Sequence, residues 1–269
     1  MAKGDLRKNL RRGVYVIPTS FTILNLFFGF RCIIFATRAL ETIASGRGAF
    51  AAELFETACI SLLFAAIFDT FDGLVARQLG ATSEFGKEYD SLADVVTFGA
   101  APAVLVYAWA LHVLDKLGGG LAFLFLVAVS LRLARFNVQT GKTDYRYFVG
   151  LPSPGGALTI ASLINYASTP VTDRRFAIVI AIVTVAVAFS MVSPIRWRSQ
   201  KGLALQKEWS LMYFLALALI GALAYKWPRE FWFLGALTYL VSGPFVRLWS
   251  IAFPPRRVEP ELAEPLEAP

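Results

Sequence analysis

Residues 69–94 read DTFDGLVARQLGATSEFGKEYDSLAD and stand between two apolar runs, ACISLLFAAIF (58–68) and VVTFGAAPAVLVYAWAL (95–111). Each run belongs to a stretch long enough to cross a bilayer, which takes about 20 mainly apolar residues. Asp69, Asp72, Asp90 and Asp94 therefore sit at the facing ends of two spans. A carboxylate at membrane depth is costly and needs a partner. Asp69 and Asp72 are three apart and Asp90 and Asp94 four apart, so on helices each pair shares one face. If the two spans form an antiparallel hairpin, all four acids converge at one membrane boundary.

Clustered negative charges repel in low dielectric and must be neutralised. All-oxygen ligation suits the hard cations Mg²⁺, Mn²⁺ or Ca²⁺. The single histidine, His112, lies at the far end of the third span, and Cys32 and Cys59 stand singly in apolar segments. Zinc and a disulfide framework are thereby disfavoured. Gly73 follows Asp72 directly and Gly86 precedes Asp90 by one turn, which leaves room for a backbone or a ligand. Arg77 lies one turn beyond Gly73 and can meet a phosphate or pair with an acid. Ligands, space and a cation are the requirements for electrostatic catalysis of phosphoryl transfer. The plain alternative is a set of interfacial ion pairs with Arg77 and Lys87.

Beyond this stretch the chain stays apolar. Of 269 residues, 57% are hydrophobic and 17% charged, against about a quarter charged in soluble domains. The expected fold is all-α: a polytopic integral membrane protein with about eight transmembrane helices. Candidate spans lie near 14–37, 51–70, 91–113, 118–138, 150–169, 175–193, 209–226 and 230–252. The fifth begins with Pro and Gly and is expected to be broken or tilted. The expected organisation is a basic cytoplasmic segment (1–13), a transmembrane catalytic domain (14–252) and a disordered cytoplasmic tail (253–269) rich in Pro and Glu. The net charge of +7 invites a nucleic-acid reading, but its distribution fits a membrane better. With the N-terminus in the cytoplasm, inner segments hold 18 Lys and Arg residues and outer segments 7, with Arg31 inside the first span. That asymmetry puts both termini and the Asp-rich stretch on the cytoplasmic side of the cell membrane.

The pattern Asp69-x-x-Asp72-Gly73-x-x-Ala76-Arg77, eight residues, then Gly86-x-x-x-Asp90-x-x-x-Asp94 resembles the signature of the CDP-alcohol phosphotransferase family at every fixed position. The resemblance implies that an alcohol displaces CMP from a CDP-linked donor with the help of metal, Mg²⁺ or Mn²⁺ as two ions. It implies that Asp69, Asp72 and Asp90 are metal ligands. Asp94 would contribute to the second metal and take the proton from the attacking hydroxyl, making Asp90 and Asp94 the catalytic pair. Asp69, Gly73, Ala76 and Arg77 would line the CMP moiety. IPTSFTILNLFFGF (17–30), TSEFGKEYDSLADVVTFGAAPA (82–103), LRLARFNV (131–138) and YFVGLPSPGG (147–156) are together similar to the membrane-embedded, serine-using members of that family. That similarity covers roughly the first 160 residues and implies CDP-diacylglycerol as donor, L-serine as acceptor and a homodimer.

Other residues bear on the acceptor. Arg132 and Arg135 are three apart at the cytoplasmic end of the fourth span, with Asn137 close by. Two guanidinium groups suit a carboxylate or a lipid phosphate, or else serve as positive-inside anchors. Asn25 lies in the first span and needs a partner, either a neighbouring helix or the substrate. Pro152 and Pro154 break the fifth span, and opened backbone at that depth is tolerated beside a cavity; this places GLPSPGG near the pocket. The nearest rivals are related transferases using glycerol 3-phosphate, an inositol compound or choline. A cation transporter would carry its acids nearer the midplane, and a non-catalytic scaffold leaves the full signature unexplained.

Overall fold

The computed structural model describes residues 2–80, 83–139, 147–198 and 225–252. Helices dominate, as they must where no water satisfies the backbone. Helix α1 (Ala2–Ala44) is one rod whose apolar part is Pro18–Ala44. At 43 residues it is about 65 Å long, twice the thickness of a hydrocarbon core. The basic stretch upstream of Pro18 thus continues the helix beyond the apolar layer, with no break at residue 14.

A 3₁₀ turn (Gly48–Phe50) leads into α2 (Ala51–Gln78). Gly80, at φ +59, closes α2 in the left-handed conformation that glycine adopts freely. Helix α3 (Glu84–Asp94) starts on Ser83, whose Oγ accepts from the Gly86 amide at 3.0 Å. A side-chain oxygen at this position satisfies one of the free amides of the first turn. Through a π-helical segment (Val95–Ala100), α3 runs on into α4 (Ala101–Trp109). Glu84–Trp109 is therefore a single apolar rod of 26 residues. A second 3₁₀ turn (Leu111–Leu114) connects it to α5 (Asp115–Gln139).

Helix α6 (Ser153–Tyr166) has 14 residues, about 21 Å, and is shorter than a full span. Pro152 and Pro154 stand at its start, where proline suits the first turn, so the span expected to be broken or tilted is instead one short unbroken helix. Helix α7 (Arg174–Val192) is capped by Asp173, which accepts from the Arg175 amide at 2.8 Å. Hydropathy does not foresee the ribbon of β1 (Tyr147–Val149) with β2 (Arg196–Arg198), paired antiparallel with Phe148 opposite Trp197. Helix α8 (Pro228–Ala252) packs against α6.

Among the described residues, five segments are long and apolar enough to cross a membrane: Pro18–Ala44, Gly48–Gln78, Glu84–Trp109, Leu111–Val138 and Arg174–Val192. They match the first four and the sixth expected spans; α6 and α8 cover the fifth and eighth. The seventh, 209–226, lies almost wholly outside the described residues, and so does the tail 253–269. The chain is an all-α, multi-pass membrane protein.

The contacts at the helix ends define two distinct ends of the bundle. At one end Trp109 Nε1 donates to the Thr169 carbonyl at 2.9 Å and Ser168 Oγ donates to Glu56 at 2.8 Å. Arg229 pairs with the same Glu56 at 2.7 Å, which ties the start of α8 to α2. The other end gathers the close of α2, the start of α3, the close of α5 and the start of α6. Between them, Phe55, Leu62, Phe98, Leu105, Phe125 and Ile160 are fully buried among alanines such as Ala36, Ala58 and Ala65. Small side chains let membrane helices approach closely, which is where their packing energy arises.

Candidate functional site

The α2–α3 hairpin brings the acids together as their spacing requires. Carboxylate oxygens of Asp69, Asp72 and Asp90 lie within 4.8 Å of one another. Repulsion among charges so placed is roughly 3–4 kcal/mol per pair at an effective dielectric near 20. No described residue forms an ion pair with any of the four aspartates, and Arg77 and Lys87 point into the open. Asp72 is buried, and Asp90 Oδ1 is buried with no hydrogen-bond partner. An all-oxygen cluster with an orphaned buried acceptor and no described cation side chain in ion-pair contact fits a divalent metal. Asp69, Asp72 and Asp90 are the residues that could hold it.

Asp94 stands beside that trio rather than in it. Its carboxyl lies within hydrogen-bonding reach of Asp69, and it accepts from Asn25 Nδ2 at 3.2 Å. Thr22, three residues before Asn25, donates to Asp72 Oδ2 at 3.0 Å. Helix α1 thus reaches one carboxylate on each arm of the hairpin. Gly29 sets the spacing: a Cβ there would lie 2.8 Å from the Thr97 Cα. Thr97 in turn donates to the Asn25 carbonyl at 3.4 Å. The contact falls in the π segment, where the Ala101 amide bonds the Val96 carbonyl. This wider turn shifts the register immediately after Asp94, and such π turns recur at functional sites.

Helix α5 closes a further side. Arg132 Nη1 donates to Ser153 Oγ at 2.5 Å, its Nε is buried without a partner, and its guanidinium lies in electrostatic range of Asp94 and Asp69. Arg135 diverges from it and donates to the Val192 carbonyl at 3.4 Å, where a cation favours the negative end of α7. Asn137 Nδ2 donates to Ser91 Oγ at 3.0 Å and joins α5 to α3 at the surface. Of the two arginines, then, one faces the acids and the other anchors a helix end. Asn25 meets a neighbouring helix, through Asp94. At the close of α2, a Cβ on Gly73 would meet nothing within 4 Å, Ala76 is half-buried and Arg77 is exposed. The result is an open shelf beside the acids.

Thr22 and Tyr239 are the neighbours of this site that sequence reasoning passed over, whereas Ser153 lies in the GLPSPGG stretch that it placed near the pocket. Thr22, Asn25 and Gly29 form one polar and small face on an otherwise apolar helix, and that periodicity was available as a signal. Tyr239 carries no comparable mark.

Residues 15–192 match the family model described as CDP-alcohol phosphatidyltransferase. The chain is similar to the CDP-diacylglycerol–serine O-phosphatidyltransferase of Mycobacterium leprae, with 32% identity over 92% of this chain and 81% of that protein. Its similarity to the protein of the same name in Helicobacter pylori strain J99 is 30%, over 86% of this chain and 90% of the relative. Archaetidylserine synthase of Methanothermobacter thermautotrophicus is 39% identical over 54% of this chain and 60% of that protein.

Proposed function

The chain belongs to the CDP-alcohol phosphatidyltransferase family, and from that premise we propose that it is a phosphatidylserine synthase, moving the phosphatidyl group of CDP-diacylglycerol onto the hydroxyl of L-serine and releasing CMP. The observation that carries this reading is the meeting of three carboxylates within 4.8 Å, with Asp94 at their side. The names of the relatives support serine as the acceptor. Archaetidylserine synthase shares that acceptor in its name with a different lipid.

In this reading Asp69, Asp72 and Asp90, with Asp94, hold two divalent ions, Mg²⁺ or Mn²⁺. When bound, such ions polarise the pyrophosphate and stabilise the charge that CMP carries away. The chain's own groups do the rest. Asp94 takes the proton of the serine hydroxyl, as a general base held within reach of its substrate. The serine oxygen bonds to the phosphorus that carries the diacylglycerol. The bond from that phosphorus to CMP breaks, and its electron pair leaves with CMP. Asn25, buried in α1, holds Asp94 in place through its amide. Asp69, Gly73, Ala76 and Arg77 face the CMP moiety on the open shelf. Charge asymmetry supports a site and termini on the cytoplasmic side of the cell membrane. Serine then arrives from water and the lipid tails enter from the bilayer. The family resemblance supports a homodimer.

The test is CMP release by the purified protein given CDP-diacylglycerol, Mg²⁺ or Mn²⁺, and one alcohol at a time. Release is expected with L-serine alone, to be abolished by a chelator and restored by the ion. Release with glycerol 3-phosphate or an inositol compound instead would keep the chemistry and discard serine. No release by folded protein with any alcohol would discard the reading.

A further inference from the structure

Helix α8 lies beyond residues 15–192, the part that carries the family pattern, yet it returns to the site. The starting point is Gly155 in the first turn of α6: a Cβ there would lie 2.9 Å from Tyr239 Cε1. Only a residue without a side chain lets the Tyr239 ring come so close. Two residues earlier, Ser153 accepts from Arg132. The phenol of Tyr239 and the carboxylates of Asp94 and Asp69 all lie in electrostatic range of the Arg132 guanidinium. Tyr239 is half-buried, and its hydroxyl makes no hydrogen bond to a described residue. Arg132 likewise keeps a buried Nε without a partner. Through Gly155 and Ser153 the first turn of α6 thus brings the Tyr239 ring and the Arg132 guanidinium to one region, each with a donor that lacks a described acceptor.

That arrangement suits one particular group. In a β-hydroxy amino acid the carboxylate sits on the carbon next to the one bearing the reacting hydroxyl. An acceptor whose hydroxyl is at Asp94 therefore carries its carboxylate to a point close by. A guanidinium with a neighbouring hydroxyl donor is a strong carboxylate receptor. The donor lipid's phosphates have the acid cluster and the Gly73–Arg77 shelf to meet.

We propose that Tyr239 is an acceptor-binding residue whose hydroxyl, together with the Arg132 guanidinium, receives the carboxylate of the amino-acid acceptor. The proposal rests on the serine reading given above and adds a determinant outside the family-matched segment. It also explains why Gly155 stands in the GLPSPGG turn.

The experiment is steady-state kinetics of Tyr239→Phe, which keeps the ring against Gly155 and removes only the hydroxyl. A hydrogen bond to a charged group contributes about 1.5 kcal/mol or more, so KM for L-serine should rise about tenfold. At saturating serine, kcat should fall less than about threefold, with KM for CDP-diacylglycerol and the thermal midpoint unchanged. Ethanolamine lacks the carboxylate, so the preference for L-serine over it should shrink by the same factor. An unchanged serine KM would overturn the proposal. So would a parallel loss in kcat and both KM values, the mark of a packing role, or a rise in the donor KM alone. The wild-type protein is assayed first. CMP release with another alcohol and none with serine would overturn the serine reading, and this proposal with it. Normal wild-type turnover with an unaffected variant would overturn this proposal alone.

Discussion

Asn25 and Asp94 face each other across two helices, and neither side chain has an obvious reason to be in a membrane without the other. Asn25 is fully buried, its Nδ2 donates to Asp94 at 3.2 Å, and its Oδ1 has no partner. An amide in this position cannot take a proton, so its contribution is to hold the carboxylate that can. Asp94→Asn should therefore reduce CMP release by about 10²–10⁴-fold, the usual worth of a positioned base. Binding of CDP-diacylglycerol should persist. Asn25→Leu removes only the positioning bond and should lower kcat by about tenfold, near the value of one charge-assisted hydrogen bond. Normal CMP release by Asp94→Asn would remove Asp94 from the role of base. The acids were legible from spacing alone because three- and four-residue intervals fix a helix face. Thr22 was not. A threonine in an apolar helix ordinarily bonds its own helix, as Thr57 does to Glu53 and Thr70 to Ala66. Thr22 also reaches the Pro18 carbonyl, and what sets it apart is Asp72 arriving from another helix.

At the scale of elements, the site depends on how closely α1 approaches the rod formed by α3, the π segment and α4. Two glycines separate packing from chemistry. A Cβ on Gly29 would strike the backbone of Thr97, whereas one on Gly73 would meet open space. Gly29→Val should therefore lower the thermal midpoint in detergent, with overpacking costing about 1–3 kcal/mol. Activity should fall with it as Asn25 is pushed off Asp94. Gly73→Ala should leave the midpoint unchanged or slightly higher, since alanine favours helix by up to about 1 kcal/mol. Its activity should fall through the nucleotide shelf. Equal loss of stability in both variants would contradict this division. Most helices were legible because about 20 apolar residues in a row leave few alternatives. Pro152 and Pro154 marked the fifth span as irregular, but as a break, whereas they begin a short continuous helix. The π segment and the β1–β2 ribbon were not legible, because hydropathy registers neither a shift from i→i+4 to i→i+5 bonding nor strands of three residues.

For the molecule as a whole, the two ends of the bundle carry different burdens. One end holds the acids, Arg132 and the start of α6; the other is fastened by Trp109, Ser168, Glu56 and Arg229. Counting Lys and Arg predicts that the acid-bearing end faces the cytoplasm, and that count was available in the sequence. The return of α8 to the site was not. Tyr239 sits among aromatic and aliphatic residues that equally suit lipid, and only the position of α6 distinguishes it. Orientation is open to a direct chemical test because both native cysteines are fully buried and should not react with aqueous reagents. Gln78 is exposed where α2 ends near the acids, and Ala49 is exposed where α2 begins. In intact cells, a membrane-impermeant maleimide should label Ala49→Cys and spare Gln78→Cys. Permeabilised cells should label both. The reverse pattern would turn the site outward, away from cytosolic serine and from the side where CMP is recovered. A site facing outward would break the supply argument for a serine acceptor even if the carboxylate chemistry stood, so the labelling decides whether the charge count and the proposed reaction belong to one molecule.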